Sequence, residues 1–306
     1  MNNQNKKLKV LILGGSGLLG YHCVKFFKNK YNVLWTYYNP CEDVENGFLL
    51  AVEAKNAYSN LHLRIKRFVP DVIINTLGLV SVDASEENPI LAEKLNKNFV
   101  KDIVNVLSDL KLYNCYLVQI SSGGVYGKHL SNVIKPWEER DELNPLSVYA
   151  TSKVEGEKEA LKHKGPVLIL RSDFYGLNIN RKRFTLLSWI IYNIENNIKM
   201  EGWENIYFSP ISAFKLCKTI DQCITSNVTG VFNVGSEDGC NKFDFVEAVG
   251  KIINKKPDLM RIEAHSKIRP RYSVLCCDKI KNKINFNCKW KDTLNDYISN
   301  QFKINI

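Results

Sequence analysis

The chain is short of everything that would mark a metalloprotein, a secreted scaffold or a membrane protein. Its nine cysteines form no Cys-x-x-Cys pair and its five histidines no His-x-x-x-His pair. Neither a zinc site nor a disulfide framework is indicated, no metal is expected, and reduced, mostly buried thiols are. No apolar run approaches the roughly 20 residues of a membrane span, and residues 1–7 lack the apolar stretch of a signal peptide. A cytoplasmic protein with no membrane partner is the expectation. Although the net charge is +10, Lys and Arg are spread along the chain and gather in no basic block. That argues against nucleic acid and for a surface biased toward small anions such as nucleotides. Repeats and low-complexity linkers are also missing. What remains is 306 residues of ordinary globular composition, 45% hydrophobic and 24% charged, enough for one large α/β domain or two modest ones.

Short apolar runs alternate with helical periodicity through the first half. Residues 8–13, 31–36, 71–75, 115–121 and 167–171 read as strands buried on both faces. Between them, residues 18–29, 58–68, 89–110 and 146–164 read as helices. The alternation predicts a Rossmann-type, doubly wound parallel sheet over residues 1–172. Beyond Asp173 the pattern loosens: helices are expected at 184–198, 211–225 and 243–254 and an extended segment at 230–234. Residues 173–306 are therefore expected to form mainly a smaller substrate-binding lobe, with later segments returning to the first domain. The apolar stripe of the 89–110 helix is broad enough to meet the sheet on one side and a second subunit on the other, so a homodimer is possible.

Gly14, Gly17 and Gly20 lie between the first strand and the first helix. Glycine at the first position permits a tight turn, at the second a close approach of backbone to pyrophosphate, and at the third close packing of helix on strand. The spacing predicts a dinucleotide site. The next strand ends at Trp35-Thr36 and continues as Tyr37-Tyr38-Asn39-Pro40, with no Asp or Glu to hold a ribose 2′-hydroxyl. Without that carboxylate NADP is favoured over NAD, although no Arg stands ready for a 2′-phosphate.

Tyr149 and Lys153 are four residues apart, which puts a phenol and an ammonium side by side on one helical face. The lysine charge is expected to favour the tyrosinate and bring the phenol closer to working pH. The same spacing occurs on many solvated helices, so its meaning depends on the rest of the chain.

From Lys9 to about Tyr297 the sequence resembles the extended short-chain dehydrogenase/reductases that act on nucleotide sugars, and within them the dTDP-4-dehydrorhamnose reductase (RmlD-like) branch. The resemblance rests on the three glycines, residues 70–75, Val82-Asp83 with Glu86, Pro89 and Asn96, and residues 120–127. It continues through residues 149–153, Leu170-Arg171, residues 230–235, Arg269-Pro270 and residues 273–275. It implies that Ser122 hydrogen-bonds a substrate carbonyl, that Tyr149 is the general acid, and that Lys153 binds the nicotinamide ribose and lowers the tyrosine pKa. Gly14, Ser16, Gly17, Leu18, Leu19, Gly20, Thr36, Asn75 and Lys153 are then the expected cofactor contacts. Arg269 and Arg271 are candidates for a substrate diphosphate, a surface basic cluster being the alternative.

Departures from the family narrow the chemistry. Gly123-Gly124 follow Ser122 where related 4,6-dehydratases carry an acidic pair, and Gly124 stands where GDP-fucose synthases carry Cys, so elimination and epimerisation with reduction are disfavoured. Gly123 also replaces the Asp of the namesake reductases. The resemblance thus implies NADPH-dependent reduction of a nucleotide-linked 4-keto-6-deoxy sugar. Two other readings stay open: a nucleotide-sugar 4-epimerase that retains NAD, and a non-catalytic NADP-binding regulatory subunit like the beta subunit of methionine adenosyltransferase, which resembles the same branch.

Overall fold

The computed structural model describes residues 7–38, 45–128, 135–178 and 184–302. Its centre is a seven-stranded, wholly parallel sheet. The strand order is Gly230–Asn233, Val167–Arg171, Tyr116–Ile120, Val72–Asn75, Lys9–Leu13, Asn32–Tyr37, Gly47–Leu49. Every residue of Val72–Asn75, Tyr116–Ile120 and Val167–Arg171 is buried. That is why these strands read as continuous apolar runs without a polar face.

Alternation along each strand divides the core in two. Val10, Ile12, Val72, Ile74, Leu168 and Leu170 pack on one face beneath the helices Leu18–Phe27 and Ala213–Thr225. Leu11, Leu13, Ile73, Leu117 and Ile169 pack on the other beneath Ala57–Phe68 and Phe99–Asp109. A third core, with Tyr175, Ile190, Phe208, Phe245, Trp290 and Leu294, belongs to the C-terminal part. From that part Ala213–Thr225 covers the main sheet and Gly230–Asn233 forms its edge. Seven of the eight described cysteines are buried thiols and none is bridged; Cys41 lies outside the described residues. No described helix is long and apolar enough to cross a membrane.

Several expected helices change at their ends or interiors for local reasons. Ser147 accepts the Ala150 N–H and starts the helix Val148–Ala160 two residues later than the apolar pattern suggested. Pro210–Ser212 is drawn into a ladder with Asp173–Tyr175, and Ser212 caps the helix that follows. The expected 89–110 helix is interrupted by a π-helical turn at Lys94–Asn98. That turn faces Asn96 inward, where its amide donates to the Leu79 carbonyl and Ser152 Oγ and accepts the Leu79 N–H. Gly156 lets the two helices meet there, since a Cβ on it would stand 2.1 Å from the Asn96 carbonyl oxygen.

Candidate active site

The sheet order reverses direction at Lys9–Leu13, and a parallel sheet opens a crevice at the carboxyl ends of its strands at such a point. The glycine loop lies there. Gly14 has a φ of +85°, a conformation other residues resist. A Cβ on it would also stand 2.9 Å from the Leu77 backbone. Gly20 is packed harder still, with a would-be Cβ 2.1 Å from the Gly14 carbonyl oxygen. Gly17 differs from both. It is the exposed N-cap of Leu18–Phe27, no side chain caps it, and a Cβ there would meet only the Gly14 carbonyl oxygen, at 3.2 Å. The helix start therefore presents backbone N–H groups across an open approach, which suits a pyrophosphate.

The structure separates the expected cofactor residues into those at this surface and those beneath it. Ser16 and Leu18 are partly exposed beside Gly17, whereas the Leu19 side chain is buried in the core, leaving its backbone to serve the loop. Thr36 is 1% exposed and its Oγ1 accepts the Gly14 N–H at 2.8 Å. It shapes the loop from below; Tyr37 and Tyr38 come next in the chain, and Asn39 lies outside the described residues. Asn75 is fully buried, donating to Gln119 Oε1 and accepting the Leu77 N–H. It too supports the loop.

Ser122, Tyr149 and Lys153 converge at the same crevice. Ser122 follows the strand Tyr116–Ile120, and its Oγ accepts the Gly124 N–H at 3.1 Å. Tyr149 sits in the first turn of Val148–Ala160, anchored where the Val148 N–H meets Glu86 Oε1 at 2.7 Å. Its phenol shares a hydrogen bond with Ser122 and is pushed up to about 12, mainly by burial; the Ser122 bond opposes the rise and the Asp173 charge adds to it. Lys153 is buried and its Nζ donates to the Ile120 carbonyl at 2.9 Å, beside Gly78. Burial lowers its pKa to about 8 against the pull of Glu157. What acts on the phenol is burial first, then Ser122 and Asp173.

Asp173 had no assigned role in the sequence. Its strand, Asp173–Tyr175, follows the sheet strand Val167–Arg171 after one residue. Its Oδ1 accepts the Gly123 N–H at 3.1 Å and the Ser122 hydroxyl at 3.4 Å, and Ser273 Oγ donates toward Oδ2 at 3.5 Å. Burial raises its pKa while Lys242 holds it down. Lys242 lies 3.3 Å from the centre of the Phe208 ring and is itself lowered to about 8 by burial, opposed by Asp173 and Cys240 and reinforced by the Arg269 charge. Arg269 joins this cluster, ion-paired to Asp83. Arg271 stays exposed, and its carbonyl accepts the Tyr207 N–H. Asp173 could be suspected from sequence only as a carboxylate just beyond a buried strand, while Lys242 carried no signal.

Beneath the site, Arg171 and Glu157 form a buried bidentate pair at 2.7 and 3.0 Å. Glu157 also accepts the Ser121 hydroxyl, and Arg171 donates to the Tyr126 hydroxyl, which donates in turn to Asn233. This network ties the edge strand, the Tyr149 helix and the strand before Ser122 together.

Comparison with known proteins gives consistent matches across the chain. The family model described as the RmlD substrate binding domain matches residues 8–302. The beta subunit of methionine adenosyltransferase 2 from Bos taurus is 24% identical over 288 residues, covering 89% of this chain and 81% of that protein. Among solved structures, dTDP-4-dehydrorhamnose reductase from Bacillus anthracis in complex with NADP superposes with a TM-score of 0.81 at 19% identity, over 96% of this chain and 99% of that one. UDP-glucose 4-epimerase from Thermus thermophilus in complex with NAD does so with a TM-score of 0.79 at 18% identity, over 95% and 98%.

Proposed function

The chain belongs to the RmlD substrate binding domain family, and from that premise we propose that it reduces the carbonyl of a nucleotide-linked 4-keto-6-deoxy sugar, with NADPH preferred to NADH. The observation that carries the reading is the neutral Tyr149 phenol hydrogen-bonded to Ser122, above Lys153 and beside the uncapped helix start at Gly17. Residues 14–20 would hold the dinucleotide pyrophosphate and Lys153 its ribose; when bound, a reduced nicotinamide supplies the hydride.

The protein's own part is to receive the charge that forms on the sugar oxygen. A carbonyl oxygen between Ser122 and Tyr149 accepts from both hydroxyls, and Tyr149 gives up its proton as the oxygen becomes an alkoxide. A phenol held neutral is the correct starting form for that transfer. Lys242 and Arg269, the two cations of the C-terminal cluster, are suited to the substrate diphosphate. The absence of a carboxylate at Thr36, Tyr37 and Tyr38 supports NADP; the named relatives include one bound to NADP and one to NAD.

The similarity to methionine adenosyltransferase beta subunits supports a second reading, a dinucleotide-binding subunit without turnover. One experiment separates the two. Purified protein is offered NADPH with dTDP-, GDP-, CDP- and UDP-linked 4-keto sugars and NADPH oxidation is followed. Turnover on one sugar supports the reductase. Bound cofactor with no turnover on any, and a stable protein partner in pull-down, supports the subunit.

A further inference from the structure

The Ser122 hydroxyl has more partners than a bare catalytic serine needs. It accepts from the Gly124 N–H, shares a bond with Tyr149, and lies 3.4 Å from Asp173 Oδ1. A hydroxyl has one proton and two lone pairs. Asp173 Oδ1 already accepts the Gly123 N–H and is therefore an acceptor, and the Gly124 amide can only donate, so the Ser122 proton goes to Asp173 and the remaining lone pair faces Tyr149. Tyr149 is then the donor in its bond with Ser122. The whole chain has one polarity: Tyr149 to Ser122 to Asp173.

Gly123 is what lets the carboxylate reach this place. A Cβ on residue 123 would stand 2.6 Å from Asp173 Oδ2, so any side chain there would displace it. The Gly123 N–H and Ser273 then hold the carboxylate in position. We propose that Asp173 is a positioning residue for the proton donor: by taking the Ser122 proton it turns a lone pair toward Tyr149 and keeps the Tyr149 hydrogen in place until a carbonyl oxygen displaces it. When that oxygen arrives, the Ser122 hydroxyl swings from Asp173 to the substrate, and the Gly123 N–H remains with the carboxylate. No covalent bond changes in this step. The charge that acts on the chain from outside it is Lys242, from the helix Lys242–Ile252; Arg269, paired with Asp83, acts in turn on Lys242, and Lys153, from the same helix as Tyr149, is tied to the Ile120 carbonyl. The inference rests on Tyr149 being the proton donor, but its test does not depend on turnover.

The test incorporates 3,5-difluorotyrosine at position 149, whose lower intrinsic pKa brings its ionisation into the range a folded protein tolerates, and follows the 19F resonance with pH in protein without substrate. Asp173→Asn keeps the shape and removes the charge: its amide oxygen stays on the Gly123 N–H as a weaker, neutral acceptor, and the Ser122 proton is free to turn toward Tyr149. The midpoint should fall by about one pH unit or more. In a Ser122→Ala background the same substitution should shift it by less than half as much, because the link is cut. An unchanged midpoint in Asp173→Asn, or an equal shift in both backgrounds, overturns the proposal: the first shows no coupling, the second a field acting without Ser122. Asp173→Ser serves as a second variant if the asparagine protein does not fold. A protein that shows the shift yet reduces no nucleotide sugar would sink the reductase reading and leave the positioning role standing.

Discussion

Removing Glu157 should unfold the protein far more readily than removing Glu157 and Arg171 together. Both side chains are about 95% buried, exposed only 5% and 6%. Arg171 gives Glu157 two charge-assisted hydrogen bonds, at 2.7 and 3.0 Å, and only the Tyr126 hydroxyl at 2.9 Å and a long contact to the Glu139 carbonyl remain without it. Glu157→Ala strands a guanidinium in the core, an event that costs about 3–5 kcal/mol. The apolar pair Glu157→Leu with Arg171→Met removes both charges. It still leaves Ser121 and Tyr126 each short of a partner, at about 1 kcal/mol apiece toward the low end for lost hydrogen bonds. The double variant should therefore sit about 1–2 kcal/mol below the wild type, above the single alanine. Urea titration, extrapolated linearly to water, measures both. If Glu157→Ala loses less than about 1 kcal/mol, or if the double variant is the less stable of the two, the buried pair is not what holds these strands and this helix together.

Tyr149→Phe should lower turnover about 10²-fold or more while leaving NADPH affinity nearly unchanged; single-turnover rates and fluorescence titration check the two halves. Gly17→Val should weaken dinucleotide binding with little loss of stability, whereas Gly20→Ala should lose about 1–3 kcal/mol of stability because its Cβ has nowhere to go; equal unfolding midpoints for the two would refute the division of roles. His22, which meets Tyr297 and the Leu177 carbonyl, has its pKa lowered to about 4 from 6.5, chiefly by burial. Below pH 6.5 the unfolded chain binds a proton the folded one refuses, so stability should fall between about pH 6.5 and 4, by on the order of 3 kcal/mol in all. His22→Gln should flatten that slope; an unchanged acid profile would rule it out.

The parallel sheet was legible because its central strands are buried on both faces and so appear as unbroken apolar runs, whereas the short edge strand Gly47–Leu49, with Leu49 exposed, gave no such run; the glycine loop was legible because each glycine answers a separate steric demand. Thr36 and Asn75 show the limit of the same reasoning. Both stand at strand ends that border the crevice, yet one points under the loop and the other into the sheet, a difference of side-chain direction that strand position alone does not carry. The π-helical turn at Lys94–Asn98 was hidden because its apolar spacing still fits an α-helix. Asp173 and Lys242 are 69 positions apart and meet because Pro210–Ser212 pairs beside Asp173 while Tyr207–Phe208, just before it, pairs with Cys240–Asn241, the residues that lead into the Lys242–Ile252 helix. No local pattern encodes such a meeting.

The edge strand of the main sheet comes from Gly230–Asn233 and one of its two covering faces from Ala213–Thr225, and this orders events on the ribosome. When residue 200 has been polymerised, six of the seven strands exist but Val10, Ile12, Leu168 and Leu170 still lack part of their cover, and Val167–Arg171 presents a bare edge. Non-local pairing of this kind is slow, and uncovered apolar surface with an open strand edge invites association with other nascent chains. A stalled or truncated product ending before Ala213 would therefore be a client for chaperones rather than a working half-protein, and completion of synthesis is what commits the chain to its native state.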